Sequence, residues 1–530
     1  MISPFGNIFS FIVQNNPVMN KKDLKTFLPL ILSGLLTGAL QVCISAPFLS
    51  FISLVPLTSS VYNFKSGKDY CFKIIAFLMP YYFIQTAFLF TVFELIEVPL
   101  VLGVFLSALL VAAVTLWLTL LMLIPLCLYP LIRKGKKLDM LIFVLLFVFG
   151  ECIAEYMPFL SFPWSGLWLS VISQPFLTQP AALLGCRFVS LIIIAENCFI
   201  TSVLYSKNKK TMLKSAAVFS LILFCNIAYS TFHISRIKRI GVNSVSIKAM
   251  AAQDNVEGRD KDNVSLAGAV DTYVAIMESG WSDDVKLAVL PETAIPASYN
   301  ENSEDFQKLR DFAEEKNTTI LTGCFLTKNQ KKYNAMFSVT SDGFCKTPYL
   351  KQILVPFGEK IPLASFWGLS TVVCGEKTDN HCLLAKENIN TANVICIESI
   401  YPSLMRCQIK EGGEVLCIST NDSWFGKSYA RFAHFRHSIM RAVESGKYTV
   451  RAGNCGISAI ISPWGDMVVS ETRPVRSAVT ANIKLLKNTN LYITLGDIIV
   501  LPGLILSALS LFKLIIEYFK KLIFKLKKSC

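Results

Sequence analysis

Three short segments of this 530-residue chain carry side chains that could act together. "NVICIES" ends an apolar run on Cys396 and places Glu398 two residues later. "LPETAIP" presents Glu292, and "YLKQILVPFGEKIP" presents Lys351 with Glu359 eight residues on. A thiol, a carboxylate and an ammonium suffice for covalent acyl transfer, which needs a nucleophile, a base for its proton and positive charge where an oxyanion grows. Taken singly, each has a plainer reading. Cysteine is among the most buried residue types and this chain has sixteen. Carboxylates are common at strand ends, and a lysine after a tyrosine is usually solvated.

These residues need elements to hold them. From about residue 240 short β-rich runs ("VSIKAMAAQ", "VKLAVLPE", "TTILTGCFL", "NAMFSVTSDGF", "TANVICIE", "EVLCISTND") are separated by helical stretches near 262–279, 301–316, 401–411 and 430–447. Such alternation predicts a layered α/β domain, with chemistry collected where strands end. Glu292 and Cys396 both fall at such ends.

The rest of the chain is apolar. A 53% hydrophobic content and a mean hydropathy of +0.50 exceed those of an ordinary soluble enzyme. Runs long enough to span a bilayer lie near 26–45, 71–95, 98–132, 138–158, 182–205, 212–232 and 492–517, and a shorter one at 46–63 could return as a hairpin. The net charge of +14 sits in short clusters: before the first run, at Lys65, Lys68 and Lys73, at Arg133 to Lys137, at Lys207 to Lys214, and at Lys520 to Lys528. These clusters share one side only if 46–63 crosses. The positive-inside rule therefore favours eight spans, an uncleaved first helix, cytoplasmic termini and an extracytoplasmic segment 235–491. The expected organisation is a membrane domain over 1–234 with seven transmembrane helices, a catalytic domain over 235–491, and a last transmembrane helix with a basic tail over 492–530. A seven-span chain with that domain in the cytoplasm would scatter the lysines over both faces. Nucleic acid is not an expected partner.

The loop from Met157 to Gln179 carries Phe159, Phe162, Trp164, Trp168 and Phe176, aromatic residues that favour headgroup level. It is expected to be a re-entrant or interfacial piece, either an anchor or a floor for a lipid. Glu151, Glu155, Arg187 and Glu196 lie in apolar runs, where ionisable groups face the bundle interior, so a Glu to Arg187 pair is expected.

In this order and spacing, Glu292, Lys351 and Cys396 resemble the Glu-Lys-Cys triad of the nitrilase, or carbon-nitrogen hydrolase, superfamily. The preceding spans narrow the resemblance to its membrane-bound branch, the apolipoprotein N-acyltransferase family. "LVPFGE", the C-x-E of Cys396 and Glu398, "NDSWFG", the Arg441 to Glu444 segment, "RAGNCGIS" and "FPW" extend it over nearly the whole chain. It implies a multi-span α-helical membrane domain plus an αββα sandwich. By resemblance Glu292 is the general base, Lys351 stabilises the oxyanion and favours the thiolate, and Glu359 and Glu398 support Lys351. Trp164, Trp424 and Phe425 would line a lipid site. A dry site would raise the pKa of Glu292.

The implied reaction moves an acyl chain from a phospholipid to Cys396 and on to the α-amine of a diacylglyceryl-cysteine apolipoprotein, in a bacterial inner membrane with the catalytic domain on the periplasmic side. Alternatives are a membrane-tethered amidase for a small amide and a non-catalytic transporter or scaffold. The loop "QDNVEGRDKD" lacks a tryptophan frequent in the family, and Ile397 replaces a tyrosine. No cofactor is expected. Among His233, His381, His434 and His437 only the last pair has helical ligand spacing, and no third ligand accompanies it, so packing or surface roles are expected and no metal.

Overall fold

The computed structural model describes residues 21–42, 46–95, 99–133, 135, 138–157, 160–261, 263–300, 303–356, 358–360, 373–376, 382–385 and 389–529. Phe159 and His381 lie outside the described residues.

Thirteen strands are described, all after residue 245: β1 (Ser246–Gln253), β2 (Val285–Val289), β3 (Thr319–Lys328), β4 (Lys331–Thr340), β5 (Gly343–Phe344), β6 (Tyr349–Leu350), β7 (Cys382–Ala385), β8 (Ile389–Ile395), β9 (Val415–Asn421), β10 (Thr449–Asn454), β11 (Ser458–Ile461), β12 (Met467–Glu471) and β13 (Ser477–Lys484). One sheet runs β13-β1-β2-β3-β4-β5, with β6 also on β4, and the other runs β12-β11-β10-β9-β8-β7. The centre of each sheet is parallel: β1 with β2 and β2 with β3, β8 with β9 and β9 with β10. Their C-terminal ends therefore open on a common edge.

Side-chain alternation divides the layers. On β1, Ala249 and Ala251 face the second sheet, joining Leu287, Val289, Cys417 and Val450, while Met250 and Ala252 face outward with Tyr273, Phe306 and Phe312. Those aromatic residues come from the helices Leu266–Ser279 and Glu304–Glu315. On the other side, Val394, Leu416 and Ile418 pack on Met405 and Ile409 of the helix Pro402–Lys410. The result is the αββα sandwich that the resemblance implied. The helical stretches are found within a few residues of their expected bounds. The strands β6, β7 and β10 to β13 lay beyond the runs read as strands, and Gly453, Gly456 and Gly465 interrupt the stretch from β10 to β12.

Among the described residues six helices are long and apolar enough to cross a membrane: Lys25–Val42, Gly67–Thr91, Leu100–Ile132, Cys186–Tyr205, Lys209–Val242 and Ile498–Lys520. The chain is a multi-pass membrane protein. The 46–63 run folds as a 3-10 turn, Pro47–Phe51, and a short helix, Val55–Tyr62. The 18-residue helix Asp139–Tyr156 carries Asp139, Glu151 and Glu155. Arg187 pairs with Glu155 and with Asp497 at 2.6 Å, so the expected ion pair is a three-residue cluster that also ties in the start of the last helix.

Sandwich and bundle share one core. Phe435, Ile439, Met440 and Val443, on the helix Ala430–Ser445, pack in the same cluster as Leu30, Phe77, Leu146 and Trp168. Polar bonds reinforce the joint: Tyr401 Oη to the Ser161 carbonyl at 2.7 Å, the Cys186 N–H to Glu444 at 2.7 Å, and Gln179 to the Trp464 carbonyl at 2.9 Å. The aromatic loop is buried in this joint. Trp164 is 1% exposed and Trp168 4%, so both rings pack inside the protein where the sandwich meets the bundle. Phe176 remains exposed.

Gly503 sets how closely the last helix meets its neighbour. A Cβ there would lie 2.3 Å from the Leu145 carbonyl oxygen and 2.6 Å from Phe149 Cβ. Gly503→Ala is expected to destabilise the detergent-solubilised protein by about 1–3 kcal/mol. Gly67→Ala, whose Cβ would meet only Pro130 at 3.9 Å, is expected to leave the thermal unfolding midpoint in place. Side-by-side melting curves test both.

Candidate active site

β2 is buried between β1 and β3, and where it ends the chain turns through Pro291, Glu292 and Thr293. Thr293 has φ +46°, a costly conformation for a β-branched residue. Gly323 on β3 lies against this turn. A Cβ there would lie 2.5 Å from Thr293 N and 2.6 Å from the Pro291 oxygen, so only glycine fits. Lys351 directly follows β6, and its N–H bonds to the Asn334 carbonyl at 2.9 Å. Cys396 directly follows β8 and opens the 3-10 turn Cys396–Ile400, with φ +53°.

These three strand ends bring Glu292, Lys351 and Cys396 together. Lys351 Nζ donates to Glu292 Oε1 at 2.7 Å and to Glu359 Oε1 at 2.8 Å. Asn334 Nδ2 donates to the same Glu292 oxygen at 2.7 Å, and the Asn421 N–H donates to Glu292 Oε2 at 3.0 Å. The Val355 N–H donates to Glu359 Oε2 at 2.8 Å. The Cys396 thiol lies within the electrostatic field of Glu292, Lys351 and Asp422. Glu292, Lys351 and Cys396 are all buried.

The charges of this cluster oppose the expectation for Glu292. Burial does push its carboxyl upward, but the Lys351 charge and hydrogen bond, with Lys261 beyond, outweigh it and hold it below the usual value. Burial also works to lower the Lys351 ammonium, while Glu292 and Glu359 hold it far above its usual range. The thiol goes the other way: burial and the Glu292 carboxylate raise Cys396 well above an ordinary cysteine, against the pull of Lys351. At rest the site therefore holds a carboxylate, an ammonium and a neutral thiol. This set can pass a proton from sulfur to carboxylate as sulfur attacks, and it can meet negative charge with an ammonium.

Glu359 joins the cluster directly. Glu398 acts through the main chain, because its oxygens accept from the N–H groups of Ile395 (2.7 Å), Gln352 (2.6 Å) and Ile353 (3.2 Å) and from Tyr349 Oη (2.8 Å). It fastens the strand before Cys396 to the segment after Lys351. Trp164 stacks on Phe162 with centroids 5.5 Å apart and meets Phe88, Phe425 and His434. Trp424 is 50% exposed beside this aromatic layer.

Sequence reasoning missed a buried network under the backbone of Cys396. His434 Nδ1 is 2.8 Å from Asp422 Oδ1, and its Nε2 is 3.1 Å from the Cys396 carbonyl oxygen and 3.0 Å from Ser399 Oγ. Arg451 donates to Asp422 at 2.7 Å and to Ser438 at 2.8 Å. His434 thus packs, as expected, but against the turn that carries Cys396. His437 donates its contact to the Trp164 carbonyl, 3.1 Å away, and no metal cluster occurs among the described residues. "NDSWFG" and "RAGNCGIS" contained Asp422 and Arg451, though nothing in their spacing paired them.

Two family models match the chain: carbon-nitrogen hydrolase over residues 259–487, and the apolipoprotein N-acyltransferase N-terminal domain over residues 33–199. Similar proteins include the apolipoprotein N-acyltransferases of Haemophilus influenzae (27% identical, covering 70% of this chain and 74% of that one) and of Wigglesworthia glossinidia brevipalpis (29% identical, 58% and 62%). That of Pseudomonas putida is 32% identical over 41% of this chain and 45% of its own. The last two alignments span less than two thirds of the relatives' length.

The Asp422 network sets an acid limit on stability. Burial works to raise this carboxyl, but Arg451 and His434 outweigh it and hold it at about 2 instead of 3.8. A depressed acid stabilises the fold above its unfolded value and loses that contribution as pH falls towards its folded value. The thermal midpoint is expected to drop between about pH 4 and pH 2. A flat midpoint across that window in detergent melting curves refutes this assignment.

Proposed function

The chain belongs to the apolipoprotein N-acyltransferase family, and from that premise we propose the reaction its site performs. It transfers an acyl chain from a phospholipid, through a Cys396 thioester, to the α-amino group of the N-terminal diacylglyceryl-cysteine of an apolipoprotein. The observation that carries this reading is the buried contact of Lys351 with Glu292, beside a thiol and next to an aromatic layer half supplied by the membrane bundle.

In the proposed first half-reaction, Cys396 sulfur attacks the ester carbonyl as Glu292 takes the thiol proton. The oxyanion forms against Lys351 and a main-chain N–H beside Cys396. Its collapse breaks the ester C–O bond, and Glu292 returns the proton to the departing lysophospholipid oxygen. In the second half, the lipoprotein amine attacks the thioester, Glu292 accepts the amine proton, and the C–S bond breaks to restore the thiol. Because the carboxylate is held low and the thiol high, the proton moves only as the C–S bond forms. Glu359 holds Lys351 charged, and Glu398 keeps the two strand ends in register.

Both substrates are lipids, which accounts for the bundle. Seven crossings before residue 235 and one after would place the sandwich on the periplasmic face of a bacterial inner membrane, with lipid tails entering between Trp164, Trp424 and Phe425. A small-amide hydrolase would use the same three groups but needs one anchor at most.

Intact-mass measurement of the detergent-purified protein with phospholipid alone is expected to show an acyl-sized increase on Cys396, absent in Cys396→Ala. Addition of a diacylglyceryl peptide is expected to discharge it. Glu292→Gln and Lys351→Ala are expected to keep the fold and lose the adduct, by a factor of at least about 100 in rate. An active preparation that forms no adduct refutes the reading, and near-parental rates in either variant refute its role assignments.

A further inference from the structure

The loop after β1 sends a second ammonium to the base. Lys261 closes the short helix Gly258–Lys261. Its Nζ donates to the Glu292 carbonyl oxygen at 2.9 Å and to Thr293 Oγ1 at 2.7 Å. The loop is itself fastened to the far sheet. The Val256 N–H donates to Asn454 Oδ1 at 2.9 Å, and Asn454 Nδ2 donates back to the Val256 carbonyl at 2.7 Å. Cys455 Sγ adds a 3.1 Å contact with the same carbonyl.

Two physical needs meet at Lys261. The first is strain: Thr293 is held at φ +46°, and a strained backbone persists only where its surroundings over-determine it. Gly323 supplies the space on one side of this turn, and Lys261 bonds two consecutive residues on the other. The second is charge, since Lys351 alone faces two carboxylates. Lys261 adds a cation within the field of Glu292, Asp254, Cys455 and Cys396; burial holds its ammonium below the usual lysine range, and those groups offset that pull only in part.

We propose that Lys261 is a positioning residue for the acyl transfer: its ammonium clamps the Glu292–Thr293 turn, aims the Glu292 carboxylate at Cys396, and balances the site's second carboxylate. The clamp grips the Glu292 carbonyl and the Thr293 hydroxyl, so Lys261 acts through Glu292 without touching substrate. Removing its charge makes both the Glu292 carboxylate and the Cys396 thiolate harder to form. The acid limb of any reaction that needs them must then move to higher pH.

The inference rests on the acyl-transfer reading for its effect on turnover, but its test does not. Full-length protein in detergent is treated with iodoacetamide across pH, and carboxamidomethylation of Cys396 is followed by peptide mapping in parent, Lys261→Met and Lys261→Arg. Lys261→Met is expected to react about tenfold more slowly at neutral pH, with its acid limb raised by about one pH unit. Lys261→Arg is expected to restore the parental limb. An acid limb that stays in place in Lys261→Met, whether or not the rate falls, overturns the proposal. If Lys261→Met does not fold, Lys261→Gln, which keeps a donor and drops the charge, is judged by the same two outcomes. A parent that forms no acyl adduct with phospholipid, yet shows this alkylation pattern, defeats the functional reading and leaves the clamp standing.

Discussion

A charged amine buried between two carboxylates is the constraint around which this site is built. An ammonium taken out of water costs several kcal/mol unless its partners restore what solvent gave. Lys351 recovers that cost only because Glu292 and Glu359 each present an oxygen within 2.8 Å. Each partner is held in turn, Glu292 by Asn334 and the Asn421 N–H, and Glu359 by the Val355 N–H. The glycine at 323, the two-residue strand β6 and the main-chain clip at Glu398 all serve to keep these groups at that separation.

The same ion pair decides how the thiol behaves. With a carboxylate beside it and little water around it, Cys396 rests as a neutral thiol. Proton transfer to Glu292 is uphill until a carbonyl carbon is within bonding distance. On the proposed reading the sulfur is therefore quiet until an acyl donor arrives, a useful property in a membrane crowded with esters.

Much of this was legible in the sequence, and the failures have physical causes. Glu292 and Cys396 stood out because apolar β-rich runs end on them, and a strand end is a local property. The direction of the Glu292 shift was not legible. Burial raises and a neighbouring ammonium lowers, and only the distance to Lys351 decides between them. The contact of His434 with Asp422 and the Cys396 carbonyl depends on how the helix Ala430–Ser445 crosses the second sheet. That Trp164 and Trp168 are roofed by the sandwich was not legible, because composition does not tell which part of the same chain will cover a ring. The run at 46–63 was read as a crossing from its apolar character and the lysine clusters around it, and the structure gives it two short helical pieces, Pro47–Phe51 and Val55–Tyr62, whose break the sequence did not show.

The helix Ala430–Ser445 belongs to two bodies at once, with one flank under the second sheet and the other inside the bundle core. Severing the chain after the bundle would strip Phe435, Ile439 and Met440 of their neighbours and turn a hidden seam into a greasy wall. A water-soluble fragment of this protein is for that reason a poor reagent.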